Sequence, residues 1–155
     1  MITPHKKKII GWREWISLPE LGIPAIKVKV DTGAATSALH ATKIRYLEKL
    51  DGETLVSFVV TSQMFPRKNL RVRAPLVAQR KVRSSSGLAT IRPVIRTPIQ
   101  LGQDRWEIEI TLVNRDPMGF RMLLGRGALK QRFLIHPSRS FIQSEPSPEM
   151  TREAK

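Results

Sequence analysis

Between Trp106 and Val113 the apolar side chains Trp106, Ile108, Ile110 and Leu112 recur at every second position, a period that fits a strand with one face in a core and not a helix. Similar β-type runs occupy Ala25 to Val30, Leu55 to Thr61, Leu70 to Arg73, Leu76 to Val82 and Leu88 to Ile99. In the first of them Ile26, Val28 and Val30 fall on one face and Lys27 and Lys29 on the other, as expected of a half-buried strand. Turn residues separate the runs: Asp51-Gly52, Pro66, Ser84-Ser85-Ser86-Gly87, Leu101-Gly102 and Asp116-Pro117. Many short strands with such punctuation predict an all-β barrel or sandwich. Helix is expected only over Ala41 to Leu50 and over a short stretch from Arg126 to Arg132.

With 155 residues the chain is large enough for one core and too small for two well-filled ones. A basic extension is expected over 1–8, a single folded domain over 9–143, and a polar, proline-containing mobile tail over 144–155. Cysteine is absent, which excludes disulfides, thiolate metal sites and a cysteine nucleophile. No apolar run approaches membrane-spanning length, so a soluble cytoplasmic protein is expected and no membrane partner.

Charge is the strongest compositional signal. Lys and Arg number 27 against 13 Asp and Glu, a formal net charge of +14, which favours nucleic acid, ribosomes or acidic peptides as partners. Between Glu53 and Asp104 there is no acid, while Arg67, Lys68, Arg71, Arg73, Arg80, Lys81, Arg83, Arg92 and Arg96 all fall there. That stretch is either a solvated basic face or a channel for something acidic. Nucleic acid is the secondary choice, because the aromatic residues are scattered and form no strand that would stack unpaired bases.

One carboxylate stands apart. Asp31 ends the alternating strand and precedes Thr32-Gly33, where glycine permits a sharp turn and close backbone approach. Such a triplet alone marks a strand-to-turn junction. A second motif lies downstream: Met122-Leu123-Leu124-Gly125-Arg126, followed by the helix-like Gly127-Ala128-Leu129-Lys130-Gln131.

Together, in order and spacing, the two motifs resemble those of the retropepsin-like aspartic proteases. The longer phrases GWREWISLPELGIPAIKVKVDTGAATSALHA, VIRTPIQLG and WEIEITLVNRDPMGFRMLLGR are similar to a bacterial group labelled ATP-dependent zinc protease. That group is associated with an ATP-grasp glutamate ligase that modifies a ribosomal protein. The resemblance covers about Ile10 to Ile142. It implies a closed acid-protease barrel with a flap hairpin and one short C-terminal helix, and an aspartic endopeptidase acting on an acidic or glutamate-modified peptide. Catalysis in this class uses two carboxyl groups sharing one proton. This chain carries one Asp-Thr-Gly, so a two-fold homodimer is expected, with Asp31 of each subunit meeting at the axis.

The resemblance also implies roles for the neighbours. Thr32 would hydrogen-bond across the dimer, Gly33 would offer its carbonyl to the substrate, and Ala34 would begin a subsite wall. Leu123, Leu124 and Gly125 would pack behind the catalytic loop, with Arg126 bracing fold and dimer. Retroviral members place an acid two residues after the glycine to pair with that arginine; here the position is Ala35, so Arg126 must find another partner.

The flap is expected at Lys81 to Thr90, with Arg83, Ser84, Ser85, Ser86 and Gly87 at its tip and over the substrate. The word zinc finds no support in the residues. The only histidines are His5, His40 and His136, no HExxH pair exists, and no phosphate-cradling glycine loop is present for ATP. No metal or cofactor is therefore expected, and any ATP dependence would belong to a partner. Two rival functions remain: a non-catalytic basic module binding the ribosome, RNA or the glutamate ligase, and a protease fold serving only as an assembly subunit.

Overall fold

The computed structural model describes residues 7–63, 68–83, 86–114 and 119–145. Among the described residues there are twelve strands: β1 (Lys8–Gly11), β2 (Arg13–Leu18), β3 (Ile23–Asp31), β4 (Ser37–His40), β5 (Thr42–Glu48), β6 (Thr54–Thr61), β7 (Asn69–Pro75), β8 (Ala78–Arg83), β9 (Ala89–Leu101), β10 (Asp104–Val113), β11 (Met122–Gly125) and β12 (Phe133–His136). A 3₁₀ turn spans Pro19–Leu21, and the one α-helix among the described residues, α1, spans Arg126–Leu129.

Six strands pair in a ring, β10-β4-β11-β3-β2-β9 and back to β10, with β8 added outside β9. The ring is well closed on the β9–β10 side, where eight residue pairs are in register, and only just closed at β2–β9, through Ser17 and Gln100. Its interior is apolar because the period-2 strands turn every second side chain inward. Ile26, Val28, Leu39, Ile95, Ile99, Ile110, Met122 and Leu124 are fully buried there. A second sheet, β5-β6-β7, covers this core with Val56, Phe58, Val60, Val72 and Ala74 on its inner face. A short parallel pair, β1 with β12, joins the two ends of the domain. Among the described residues no helix is long and apolar enough to cross a membrane.

Three expectations change. Residues 41–50 are not helical: β5 pairs antiparallel with β6 from Thr42 to Glu48, and the Asp51-Gly52 turn closes the hairpin. Thr42, Ile44 and Tyr46 favour the pleated conformation, and long-range pairing overrides the modest helix propensity of Lys, Arg, Leu and Glu. Lys27 is buried, not on a solvent face; its ammonium lies 5.1 Å from the Phe120 ring centre. Burial, and next the nearby Arg13 charge, hold its pKa below the ordinary lysine value. β1, β2, β4 and β12 carry no run long enough to stand out in the sequence. The expected turns at Pro66 and Asp116-Pro117, and most of the expected tail, lie outside the described residues.

At the tail's start, Ser144 is tied to the barrel. Its hydroxyl donates to Glu14 Oε1 at 2.6 Å and accepts the Trp15 N–H at 2.8 Å. Glu14 is fully buried and also accepts main-chain N–H bonds from Gly11 (2.7 Å), Ile142 (2.8 Å) and Gln143 (3.2 Å). A buried carboxylate is tolerated because donors surround it.

Candidate active site

Asp31 is the last residue of β3, and β11 runs parallel beside it with Gly125 opposite Asp31 and Leu124 opposite Val30. On the other side the Val30 N–H donates to the Trp12 carbonyl at 2.9 Å. The strand that delivers the carboxylate is therefore gripped on both edges up to its final residue. Beyond it the chain folds back: the Gly33 N–H donates to Asp31 Oδ1 at 3.1 Å, and the Ala34 N–H to the Asp31 carbonyl at 3.2 Å. Asp31 is half-buried, whereas Thr32 and Gly33 are exposed. Oδ2 of Asp31 has no hydrogen-bond partner among the described residues.

The loop from Thr32 to Ser37 is bound stepwise to the β11–α1 junction. Arg126 N–H donates to the Ala34 carbonyl at 2.7 Å and Gly127 N–H to the Ala35 carbonyl at 3.0 Å. The Gly125 N–H donates to Ser37 Oγ at 3.0 Å, and Arg126 Nη1 to the Thr32 carbonyl at 2.9 Å. Glycine is required at 125 because a Cβ there would collide with the main chain of Thr36 and stand 3.0 Å from the Ala34 carbonyl. The two distant motifs are thus one structural unit. Leu124, fully buried, supports the loop from the core, and Leu123 is half-buried beside it.

Arg126 takes a main-chain carbonyl in place of the missing acid at Ala35. Ser37, which sequence reasoning did not single out, holds the unit together twice over, since its own carbonyl accepts the Thr111 hydroxyl at 3.1 Å. A hydroxyl residue at a buried strand position was its only signal.

The hairpin β8–β9 rises where the flap is expected, with Arg83 paired to Ala89. Arg83 Nη1 donates to the Gly87 carbonyl at 3.1 Å, closing the tip on itself. Ser84 and Ser85 lie outside the described residues; Ser86 and Gly87 are exposed. Leu88 and Ile91 are 72% and 69% exposed, an apolar edge with no core to cover it. They line a cavity of about 550 Å³ together with Ile44, Val113 and Asn114. At the hairpin's base Arg80 and Arg96 grip Glu109 at 3.2 and 2.8 Å, on its two different oxygens. These hydrogen bonds, Arg96 first and Arg80 second, hold the Glu109 carboxyl below its ordinary pKa. Glu109 was not foreseen, because it is brought to both arginines only by the β8-β9-β10 order.

His40 lies on β4; its main-chain N–H donates to the Arg121 carbonyl at 2.8 Å, and its buried Nδ1 has no hydrogen-bond partner among the described residues. His136 accepts from the Ser138 N–H. Among the described residues no three His, Cys, Asp or Glu side chains converge.

A family model described as retropepsin-like aspartic endopeptidase RimB matches residues 9–146. Proteins named probable alpha-L-glutamate ligase from Desulfotalea psychrophila and from Shewanella pealeana are each 48% identical, over 96% and 90% of this chain. The chain spans only 32% and 30% of their lengths, so that name describes proteins about three times as long. A crystal structure of a protein of unknown function from Legionella pneumophila superposes with a TM-score of 0.72 at 26% identity, covering 89% of this chain and 99% of that one.

Proposed function

This chain belongs to the RimB-like family of retropepsin-like aspartic endopeptidases, and we propose that it hydrolyses peptide bonds with a water activated between Asp31 and the same residue of a second copy. The observation that carries this reading is the hold on Asp31. Its strand is fixed on both edges, one carboxylate oxygen is oriented by the Gly33 N–H, and the other has no partner among the described residues. One carboxylate cannot both take a proton from water and give one to the scissile carbonyl. Two of them sharing a proton can, because like charges in contact resist double ionisation.

In that dyad the ionised carboxylate takes a proton from water as the oxygen bonds to the carbonyl carbon, while the protonated partner gives its proton to the carbonyl oxygen. The resulting diol collapses with cleavage of the C–N bond: the amine leaves with the proton first taken from water, and one diol hydroxyl returns its proton to the partner carboxylate, which restores the dyad. Thr32 and Gly33, both exposed, would contact the second subunit and the substrate main chain. The β8–β9 hairpin would close over the peptide and exclude water.

The substrate proposed is an acidic or glutamate-extended peptide. Net charge supports this, as does the name of the longer relatives, which implies glutamate addition by a ligase that this chain would act alongside. The test is hydrolysis of a glutamate-extended peptide by the purified protein. Asp31→Asn should lower turnover by about 10²-fold or more with unchanged melting temperature. Full activity in that variant would remove the proposal.

A further inference from the structure

The β5-β6-β7 sheet turns its apolar side to the core and a different surface outward. Registered pairs share a face. Arg45 stands opposite Ser57, and Ser57 opposite Arg73, in one row across the three strands, with Arg71 opposite Val59 in the next. Arg45, Arg71 and Arg73 are all exposed. Ser57, although it points outward, is only 3% exposed, and Arg71 Nη1 donates to its hydroxyl at 2.9 Å. None of the three arginines has an acidic partner among the described residues, whereas Lys8, Lys49, Arg80, Arg96 and Arg105 each do. The other described residues registered on this face are neutral: Thr42, Leu47, Leu55, Val59, Thr61, Asn69 and Pro75. Tyr46 and Phe58 lie on the opposite side of their strands.

We propose that this face, Arg45, Arg71 and Arg73 around Ser57, binds the phosphodiester backbone of a nucleic-acid duplex without reading its base sequence. Guanidinium groups match phosphate in planar, two-point geometry. Strand geometry sets Arg71 and Arg73 about 7 Å apart and Arg45 about 10 Å from Arg73, a patch that meets several phosphates at once. Three cations held together with no acid among them repel one another, and an anionic partner relieves that repulsion. Among the described residues the face has no aromatic group to stack an unpaired base, so it suits a duplex better than a single strand. An acidic peptide fits less well. An extended peptide gains its main-chain hydrogen bonds at a sheet edge and not on a face, and its carboxylates sit on flexible stems that must be ordered one at a time.

The experiment is fluorescence anisotropy of a labelled duplex RNA of about 16 base pairs, titrated across a salt series. The combined change Arg45→Ala, Arg71→Ala, Arg73→Ala should weaken binding about tenfold or more at low salt and lower the slope of log K against log salt by about 2 to 3. A control with equal charge loss, Lys8→Ala, Lys49→Ala, Arg105→Ala, should keep the wild-type slope. Arg45→Glu alone, which breaks no hydrogen bond, should lower the slope by about 1 or more, so the proposal stays testable if the triple variant folds poorly. Asp31→Asn should bind the duplex as wild type does, which separates this surface from the hydrolytic reading. Equal losses in both triple variants would mean only general attraction to a basic protein and would overturn the proposal. So would absence of duplex binding, or a poly-glutamate peptide whose binding needs these arginines when that of the duplex does not.

Discussion

The Arg126 guanidinium donates to the Thr32 main-chain carbonyl at 2.9 Å, a contact between residues 94 positions apart that fixes the turn immediately after Asp31. An exposed, charge-assisted hydrogen bond of this kind contributes modestly to stability. Arg126→Ala should cost about 1 kcal/mol in urea unfolding. Turnover of a glutamate-extended peptide should fall more than stability does, because the loop that aims the carboxylate loses a fixed point. Arg126→Lys should recover part of the stability and little of the geometry, since an ammonium cannot keep the guanidinium's planar contact.

Gly125→Ala should be far more damaging. The new methyl would meet main chain at Thr36 and Ala34, and neither can move without disturbing the bonds that Arg126 and Gly127 donate to Ala34 and Ala35 and the one that Ser37 Oγ accepts from Gly125. A loss of about 3 kcal/mol or more is expected, read as a lowered urea midpoint, with turnover abolished in whatever fraction folds.

Glu14→Ala removes an acceptor shared by three main-chain N–H groups and the Ser144 hydroxyl. Buried donors left without partners should cost roughly 3 kcal/mol. Hydrogen exchange should quicken first at Ile142 and Gln143, the segment that this carboxylate anchors.

The Glu109 clamp gives a pH dependence. Its carboxyl pKa in the folded protein lies below the ordinary value of 4.5. The clamp's stabilisation is therefore complete above that ordinary value and is lost as pH falls through the lowered folded one. Glu109→Gln should lower stability at neutral pH, where the clamp is intact, change little at acid pH, where it is already lost, and so flatten the stability profile on the acid side of about pH 4.5. A carbonyl-carbon NMR titration of Glu109 in wild type should give a midpoint below 4.5.

The barrel was legible where its strands alternate. Trp106, Ile108, Ile110 and Leu112 are all buried, and the strand they form pairs with both β9 and β4. The Asp31-Thr32-Gly33 loop and the Gly125-Arg126 segment were legible as motifs, and register has joined them. Residues 42–48 were misread because alternating Lys and Arg with Ile, Tyr and Leu fits either period in a short window, and pairing with β6 decides between them. Glu14, Ser37 and Glu109 were invisible for a different reason. Each draws its importance from partners brought in by topology, at separations that no local pattern encodes.

The most direct measurement mixes wild-type subunits with Asp31→Asn subunits, lets them exchange, and follows peptide turnover against the wild-type fraction. If each active centre needs Asp31 from two copies, an equal mixture should retain about a quarter of the turnover. Retention of about half, the proportion expected when each subunit works alone, would contradict a shared dyad.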